Sequence, residues 1–228
     1  MTERELAALF DHTYLKADGT TADFDRIIEE AIEIRPATVA VNQVPAIYFK
    51  EKLKAYGIKV CSGAGFPLGC NSIDVKVYEA LDNIKNGVDE IDYMCNVSKV
   101  KDHEWEYLDE EMRRMVEVIH GSNRLCKVIL ETCYLTDEEI TQMCRLAVKY
   151  RVEFVKTSTG LAKEGGATVH AVEVMKKAVG DAVGVKAAGG IRTWKDCKAM
   201  LDAGATRIGC SASLKILEEF RKEEGLES

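Results

Sequence analysis

The chain has 228 residues, of which 46% are hydrophobic and 30% are charged, a composition that suits one large globular domain and would also fit two small ones. No stretch reaches the roughly 18 uninterrupted apolar residues of a membrane-spanning helix, and the N-terminus lacks the basic-then-apolar order of a signal peptide, so we expect a cytoplasmic protein. A formal net charge of −7 and scattered lysines and arginines argue against nucleic acid and anionic membranes as partners.

Short apolar runs rich in valine, isoleucine and alanine recur along the chain, and each is followed by a helical pattern. The first run is DHTYL at residues 11–15, which precedes a helix-like segment at 21–34. Seven clearer runs follow, at residues 37–42, 58–64, 89–95, 126–132, 152–158, 183–188 and 206–210. This pattern predicts eight strands, each followed by a helix.

Three of the helices carry further signals in the sequence. Asn71 or Ser72 is placed to begin a helix that runs through Ile84. The apolar residues of 104–120 hold the i, i+3, i+7 spacing of a helix with one buried face. Thr136 and Glu139 form a capping-box pair ahead of a further helix, because each side chain can bond the backbone N–H of the other residue.

The repeated strand–helix unit predicts the fold class. Eight units at spacings of about 20–40 residues, with no linker or low-complexity segment, indicate an α/β protein whose residues 1–228 form one closed (β/α)8 TIM barrel domain. A doubly wound open sheet is the alternative. Its glycine-rich G-x-G-x-x-G turn is absent after the first strands, which favours the barrel.

The cysteines and histidines do not form a recognisable metal or disulfide pattern. Eight cysteines and four histidines are dispersed along the chain, without a C-x-x-C or an H-x-x-x-H pair. We therefore expect no metal, no cofactor and no disulfide framework. Reduced and mostly buried cysteines are the expected state.

Charged residues interrupt several predicted inner strands. Side chains alternate between the two faces of a strand, so the apolar neighbours can face the helices while the charges point into the barrel. The charges in question are Lys156, Lys186, Asp92, Lys127 and Glu131. All except Lys127 are expected toward the C-terminal halves of their strands, where barrel enzymes carry their catalytic groups.

A single buried lysine is usually a salt-bridged core residue, but two lysines and an aspartate around one cavity favour chemistry. A lysine beside a second cation loses affinity for its proton and can be a neutral amine at pH 7. We therefore predict that Lys156 forms an imine with a carbonyl substrate. Lys186 or Lys127 would keep its amine reactive.

Several motifs together resemble the deoxyribose-phosphate aldolase family. They are DHT (11–13), GFPLG (65–69), EID (90–92), KVILET (127–132), FVKTSTG (154–160), GVKAAGGIRT (184–193) and ATRIGCS (205–211). The two lysine motifs are the most specific. The resemblance implies a class I aldolase that cleaves 2-deoxy-D-ribose 5-phosphate to acetaldehyde and D-glyceraldehyde 3-phosphate without cofactor or metal, in deoxyribonucleotide catabolism. It also implies a homo-oligomer, either a dimer or a tetramer.

The resemblance assigns roles to three residues. Lys156 corresponds to the lysine that forms the Schiff base, Lys186 to the second lysine that perturbs it, and Asp92 to an acid/base that works through water. The chain departs from the family pattern at Ala40 and Gln43, where a cysteine and a proline are usual, and its tail lacks a tyrosine that some members carry. These departures bear on substrate preference and on protonation of the enamine.

The loops after the last strands supply the groups expected to bind phosphate. Backbone N–H groups and hydroxyls near a helix N-terminus suit an anion, and barrels often bind phosphate near their last two strands. The residues concerned are Thr159, Gly160, Gly189, Gly190 and Ser211, with Ser211 expected at the start of the last helix. One of the family's paired serines is replaced here by Ala212.

Three alternatives remain open beside this aldolase. One is a related Schiff-base aldolase with a different phosphosugar as its substrate. Another is a metal-dependent aldolase or phosphosugar isomerase on the same barrel, although the chain has no histidine cluster to hold the metal. The third is a phosphosugar-binding barrel without catalysis, to which the altered phosphate loop gives some support.

Overall fold

The computed structural model describes residues 1–225, so the last three residues of the predicted domain lie outside it. Eight parallel strands pair in chain order, and the last strand pairs with the first, so the sheet closes into a barrel. They are β1 (Phe10–Tyr14), β2 (Thr38–Val41), β3 (Lys59–Ala64), β4 (Glu90–Met94), β5 (Leu125–Ile129), β6 (Phe154–Lys156), β7 (Gly184–Ala188) and β8 (Arg207–Cys210). The predicted (β/α)8 TIM barrel is confirmed, and the open sheet is wrong.

Helices follow every strand and surround the barrel. They are α1 (Glu3–Ala7), α2 (Thr21–Ile34), α3 (Gln43–Leu53), α4 (Ile73–Lys85), α5 (Val97–Lys101), α6 (Trp105–Gly121), α7 (Asp137–Tyr150), α8 (Val169–Val179), α9 (Trp194–Asp202) and α10 (Ser213–Glu223). Two short ones, α1 and α5, are additions that the sequence pattern did not predict. Across residues 1–225, no helix has the length and hydropathy needed to span a membrane.

The helix starts are set by side-chain caps. Ser72 caps α4, which decides between the two predicted starts, and Thr136 with Glu139 forms the predicted capping box of α7. These side chains accept bonds from backbone N–H groups that have no partner inside the helix. Six apolar residues of α6 were predicted to share a face. Trp105 is half-buried, and the other five are buried: Leu108, Met112, Met115, Val116 and Ile119.

The strand register decides which side chains meet inside the barrel. Asp92 on β4 lies opposite Lys127 on β5, and Lys156 on β6 lies opposite Lys186 on β7. Asp92 and Lys186 are in the middle of their strands, so the prediction that they lie toward the C-terminal halves is wrong. Lys156 is the last residue of β6, as expected.

A buried ion pair lies outside the barrel, between α4 and α6. Lys76 Nζ is 2.6 Å from Glu111 Oε1, and both side chains are almost fully buried. Lys76 also donates to the carbonyl of Met94 at 2.8 Å, while Glu111 accepts from the backbone N–H of Asn96 at 3.1 Å. The pair therefore joins two helices to the chain segment that leaves β4.

Replacing one member of this pair should destabilise the fold. Lys76→Met leaves the Glu111 carboxylate buried without its cation, so we expect a loss of about 3–5 kcal/mol in the free energy of unfolding, measured by urea denaturation at pH 7. Adding Glu111→Gln removes the stranded charge but keeps an acceptor for Asn96, so the double variant should recover part of the loss. A single variant within about 1 kcal/mol of the wild type would contradict this assignment.

Candidate active site

Charged side chains occupy the barrel interior, where bulky aliphatic residues are usual. Three carboxylates and four basic groups are buried there: Asp11, Glu90, Asp92, Lys127, Lys156, Lys186 and Arg207. An uncompensated charge in such surroundings is strongly unfavourable. If Lys156 is a neutral amine, the three remaining cations balance the three carboxylates. Charge balance therefore favours one neutral lysine in this cluster.

Asp92 is the group that joins the lysines. Its Oδ2 accepts from Lys156 Nζ at 2.8 Å and from Lys186 Nζ at 2.7 Å. Its Oδ1 accepts from Lys127 Nζ at 2.6 Å and from Cys61 Sγ at 3.0 Å. Burial alone would raise the pKa of this carboxyl, but the three lysines outweigh burial and hold the pKa well below its ordinary value. Asp92 is therefore ionised at neutral pH.

The two lysines on Asp92 Oδ2 differ in their affinity for protons. Burial lowers the pKa of Lys156, Asp92 opposes this effect and Lys186 adds to it, so the pKa stays below the ordinary value. For Lys186, burial also lowers the pKa, but Asp11 and Asp92 outweigh it and the pKa is raised. Lys156 is thus the first of the two to lose its proton, and Lys186 remains an ammonium group.

Further ion pairs, which we call the lower layer, hold Asp92 and the lysines in position. Asp11 accepts hydrogen bonds from Lys186 and, at 2.9 Å, from Arg207 Nη1. Lys127 Nζ lies 2.8 Å from a Glu90 oxygen. Every member is buried and contacts a group of opposite charge. The positions of Asp92 and Lys186 are therefore fixed by the fold before any ligand binds.

A cavity of about 290 Å³ opens at the C-terminal end of the barrel, and Lys156 and Lys186 line it. We call it the rim cavity. All five residues predicted to bind phosphate line it: Thr159, Gly160, Gly189, Gly190 and Ser211. Lys16 and Arg192 also line it, so two cations that we had not assigned to the site lie beside these residues.

Backbone contacts between glycines build one wall of the rim cavity. Gly189 has a φ of +88°, and a Cβ there would lie 3.0 Å from Gly166 Cα and 3.2 Å from Gly160 Cα. Ala167 N donates to the carbonyls of Ala188 and Gly189, both at 3.0 Å. The loops after β6 and β7 therefore touch through their backbones, which no larger residue at Gly189 would allow.

Ser211 lies just outside the last helix, so its expected place at the helix start is wrong. Helix α10 begins at Ser213, and Ala212 at the N-cap makes no side-chain cap bond. The helix start is instead fixed by His12, whose Nδ1 lies 3.0 Å from Ser213 Oγ and whose Nε2 lies 3.0 Å from a Glu30 oxygen. Ser211 is left exposed at the rim cavity.

Glu131 does not belong to the strand in which it was predicted. Strand β5 ends at Ile129, and Glu131 follows with a left-handed φ of 56°. Its carboxylate accepts from the backbone N–H of Thr159 at 3.1 Å and from the hydroxyl of the same residue. Burial raises the pKa of Glu131. Its contacts identify Glu131 as the residue that orients the loop after β6.

A second cavity of about 310 Å³ borders Lys156 on the side of β2 and β3, and we call it the side cavity. It is lined by Asp92 but not by Lys186, whereas the rim cavity is lined by Lys186 but not by Asp92. Ala40 and Gln43, the two departures from the family pattern, both line it. The sequence did not predict this space.

Asp11, Cys61 and Asp92 place one ligand atom each within 4.8 Å of one another, a spacing that a metal ion could use. The chemistry of the group does not suit a cation. Lys127 and Lys186 already donate to this group, and a metal would have to lie beside their ammonium groups. Burial, reinforced by Asp92, raises the pKa of Cys61 to about 12, so the thiol keeps its proton.

The comparisons with known proteins agree on one family. The family model of the DeoC/LacD family aldolases matches residues 6–219. A deoxyribose-phosphate aldolase of Caldanaerobacter subterraneus subsp. tengcongensis is 46% identical over 220 residues, which cover 96% of this chain and 94% of the relative. One of Mannheimia succiniciproducens is 44% identical over 225 residues, which cover 99% of both chains.

Solved structures agree with the sequence relatives. The deoxyribose phosphate aldolase from Aeropyrum pernix, described as a unique tetramer, superimposes with a TM-score of 0.90 and 28% identity, covering 97% of this chain and 93% of its own. The chain therefore belongs to the DeoC/LacD family of aldolases, within its deoxyribose-phosphate aldolases, and is an enzyme of the lyase class.

Proposed function

We propose that the enzyme reversibly cleaves 2-deoxy-D-ribose 5-phosphate to acetaldehyde and D-glyceraldehyde 3-phosphate through an imine on Lys156. The main support is the pair of buried lysines that share Asp92 Oδ2, because their pKa values shift in opposite directions. One lysine is thereby suited to be the amine nucleophile. The other is suited to remain the cation beside it.

The chemistry follows from the neutral amine. Lys156 adds to the C1 aldehyde carbon of the open-chain sugar, and loss of water gives a protonated imine. The C2–C3 bond then breaks, its electron pair passes to the imine to form an enamine, and the C3 hydroxyl loses its proton as C3 becomes the aldehyde of glyceraldehyde 3-phosphate. Protonation of the enamine at C2 and hydrolysis release acetaldehyde. The imine is the electron sink, so the reaction needs no metal or cofactor.

Asp92 is proposed to act through a water molecule. Its low pKa makes the carboxylate itself a weak base, but an ionised oxygen can orient a water that takes the hydroxyl proton and later returns a proton to the enamine carbon. The same carboxylate stabilises the positive imine that forms on Lys156, whose Nζ it already contacts at 2.8 Å. In this proposal Asp92 stays ionised while a water molecule transfers the proton.

The phosphate is proposed to bind in the rim cavity. Thr159, Gly160, Gly189, Gly190 and Ser211 would supply hydroxyl and backbone N–H donors, and the nearby Lys16 and Arg192 side chains would supply positive charge. We further propose that the enzyme works in the cytoplasm as a homo-oligomer. Support for assembly comes from the Aeropyrum pernix relative, which is described as a tetramer.

The first test separates the roles of the two lysines. Acetaldehyde and borohydride should give a stable adduct on Lys156, mapped by mass spectrometry, and Lys156→Ala should lose both the adduct and activity. Lys186→Met removes a cation that lowers the pKa of Lys156, so trapping should require higher pH than in the wild type. The exposed Lys177→Met serves as the matched control. An adduct on Lys186 would mean that Lys186 is the nucleophile and Lys156 the neighbouring cation. The absence of any adduct would contradict the imine mechanism and favour a barrel that binds phosphosugars without catalysis.

The second test concerns the phosphate. Ser211→Asp places a negative charge at the rim cavity, so KM for 2-deoxy-D-ribose 5-phosphate should rise about tenfold or more, which corresponds to about 1.4 kcal/mol or more. Cleavage of unphosphorylated 2-deoxyribose should change little, and Ser211→Ala controls for loss of the hydroxyl alone. Equal losses on both substrates would point to a phosphate site elsewhere.

The third test concerns proton transfer. Asp92→Asn keeps the shape of the side chain but removes its charge, so we expect a trappable imine together with a loss of about 100-fold or more in turnover, a typical size for a lost acid–base contribution. Exchange of the acetaldehyde methyl protons with deuterated water, followed by NMR, should slow in parallel. If turnover stays near the wild-type value, the relay belongs to another group, and Glu131 is the first candidate.

A further inference from the structure

A buried histidine lies behind the rim cavity, and the proposed reaction gives it no role. His12 is fully buried in β1, directly after Asp11. Successive side chains of a strand point to opposite faces, so His12 points toward the surrounding helices while Asp11 points to Lys186 in the barrel interior. The strand therefore separates His12 from the lysine at which the imine is proposed to form.

Both ring nitrogens of His12 have a partner on a helix. Nδ1 lies 3.0 Å from Ser213 Oγ on α10, and Nε2 lies 3.0 Å from a carboxylate oxygen of Glu30 on α2. The hydrogen bond with His12 is the main reason that the pKa of Glu30 is lowered, and Arg26 adds to it against the effect of burial. The ionised Glu30 can only accept, so Nε2 carries a hydrogen and, in the neutral ring, Nδ1 accepts from the Ser213 hydroxyl.

Ser213 joins the start of α10 to two strands of the barrel. The residue is fully buried, and its Oγ lies 3.3 Å from Cys210 Sγ on β8 as well as 3.0 Å from His12 on β1. These strands are themselves paired, with His12 opposite Cys210. Two residues, Ser211 and Ala212, lie between Cys210 and Ser213. The position of Ser211 at the rim cavity is therefore set from both ends of this short segment.

The start of α10 differs from other helix starts of the barrel. Within residues 1–225, Ala212 at the N-cap makes no side-chain bond to the helix, because alanine has no acceptor. Such a bond is made at the starts of α2, α4, α7, α8 and α9, by Thr20, Ser72, Thr136, Thr168 and Thr193 respectively. A helix start without a cap leaves N–H groups that suit an anion. At α10 the contact between His12 and Ser213 holds the first turn in place of a cap.

We propose that His12 is a positioning residue for the substrate phosphate, because through Ser213 it holds Ser211 and the first turn of α10 where the phosphate binds. The inference rests on the proposed phosphate site in the rim cavity. His12 acts through Ser213 and not by contact with the substrate. Loss of the contact should therefore weaken the binding of phosphorylated substrate, while the imine on Lys156 still forms.

The experiment compares variants that remove or keep this contact. Ser213→Ala removes the hydroxyl. The amide of asparagine takes the place of histidine Nδ1 and that of glutamine the place of Nε2, so His12→Asn keeps a partner for Ser213 whereas His12→Gln keeps one for Glu30 alone. For each variant, kcat and KM are measured with 2-deoxy-D-ribose 5-phosphate and kcat/KM with unphosphorylated 2-deoxyribose. Thr136→Ala, which removes the cap of α7 and does not line the rim cavity, controls for a loss of stability.

The expected result is a selective loss with the phosphorylated substrate. Ser213→Ala and His12→Gln should each lower the ratio of kcat/KM for phosphorylated to unphosphorylated sugar about three- to tenfold, the size expected for one hydrogen bond, through a higher KM. His12→Asn should lie closer to the wild type. The double variant Ser213→Ala/His12→Gln should be no worse than the weaker single variant, because both changes remove the same contact. Thr136→Ala should keep the wild-type ratio.

Equal losses on both substrates, or an unchanged ratio in Ser213→Ala, would mean that the contact only stabilises the fold. Additive losses in the double variant would mean that the two residues act separately. Circular dichroism reports which variants fold, and Ser213→Ala, the smallest change, decides alone if the histidine variants do not.

Ser211→Asp, measured alongside, separates this inference from the proposed function. If Ser211→Asp raises KM and Ser213→Ala does not, only the role of His12 is overturned. If neither variant changes KM, the phosphate site lies elsewhere and the inference fails with it. A wild type that neither cleaves the sugar phosphate nor forms the acetaldehyde adduct would overturn the proposed function as a whole.

Discussion

A single carboxylate shared by three lysines is the constraint on which the site depends. Asp92 is almost fully buried, and its two oxygens accept hydrogen bonds from Lys127, Lys156 and Lys186. Four basic groups cannot all stay charged beside three carboxylates without leaving one positive charge uncompensated. The least compensated of them is Lys156, because within residues 1–225 it has a single ion pair, with Asp92, which also pairs with Lys127 and Lys186. The reactivity proposed for Lys156 would thus be a consequence of the charge arrangement of the whole interior.

The fold supplies this arrangement in two layers. The lower layer, built from Asp11, Glu90 and Arg207, holds the upper layer by ion pairs to Lys127 and Lys186. Above it, Lys156 ends its strand and borders two cavities of similar size. The closed barrel brings these groups together from six of its eight strands, and the loops after the strands build the walls. The ion pair of Lys76 and Glu111 lies outside the barrel and joins α4 to α6.

The sequence predicted the fold and the main polar residues because both leave local patterns. Alternation along the strands identified Lys156, Lys186 and Asp92 as inward-facing, and the glycine-rich turns pointed to the rim cavity. The pairing of residues was harder to predict, because alternation gives the face of a side chain but not the register that puts Asp92 opposite Lys127. Glu131 was wrongly placed in a strand because β5 ends at Ile129 and Glu131 itself has a left-handed φ, which the apolar pattern does not reveal. The side cavity was missed because it is created by small side chains, and an empty volume leaves no motif.

The contact between the loops after β6 and β7 affects how the enzyme meets its ligand. Gly166 and Gly189 approach so closely that neither loop can shift without moving the other, and Glu131 ties the β6 loop to the end of β5. The donors around the rim cavity are thus ordered when the chain folds. A phosphate bound there as proposed would lose its own freedom of motion but would not have to order these loops. The entropic penalty of binding would then be smaller, and more of the contact energy would appear as affinity.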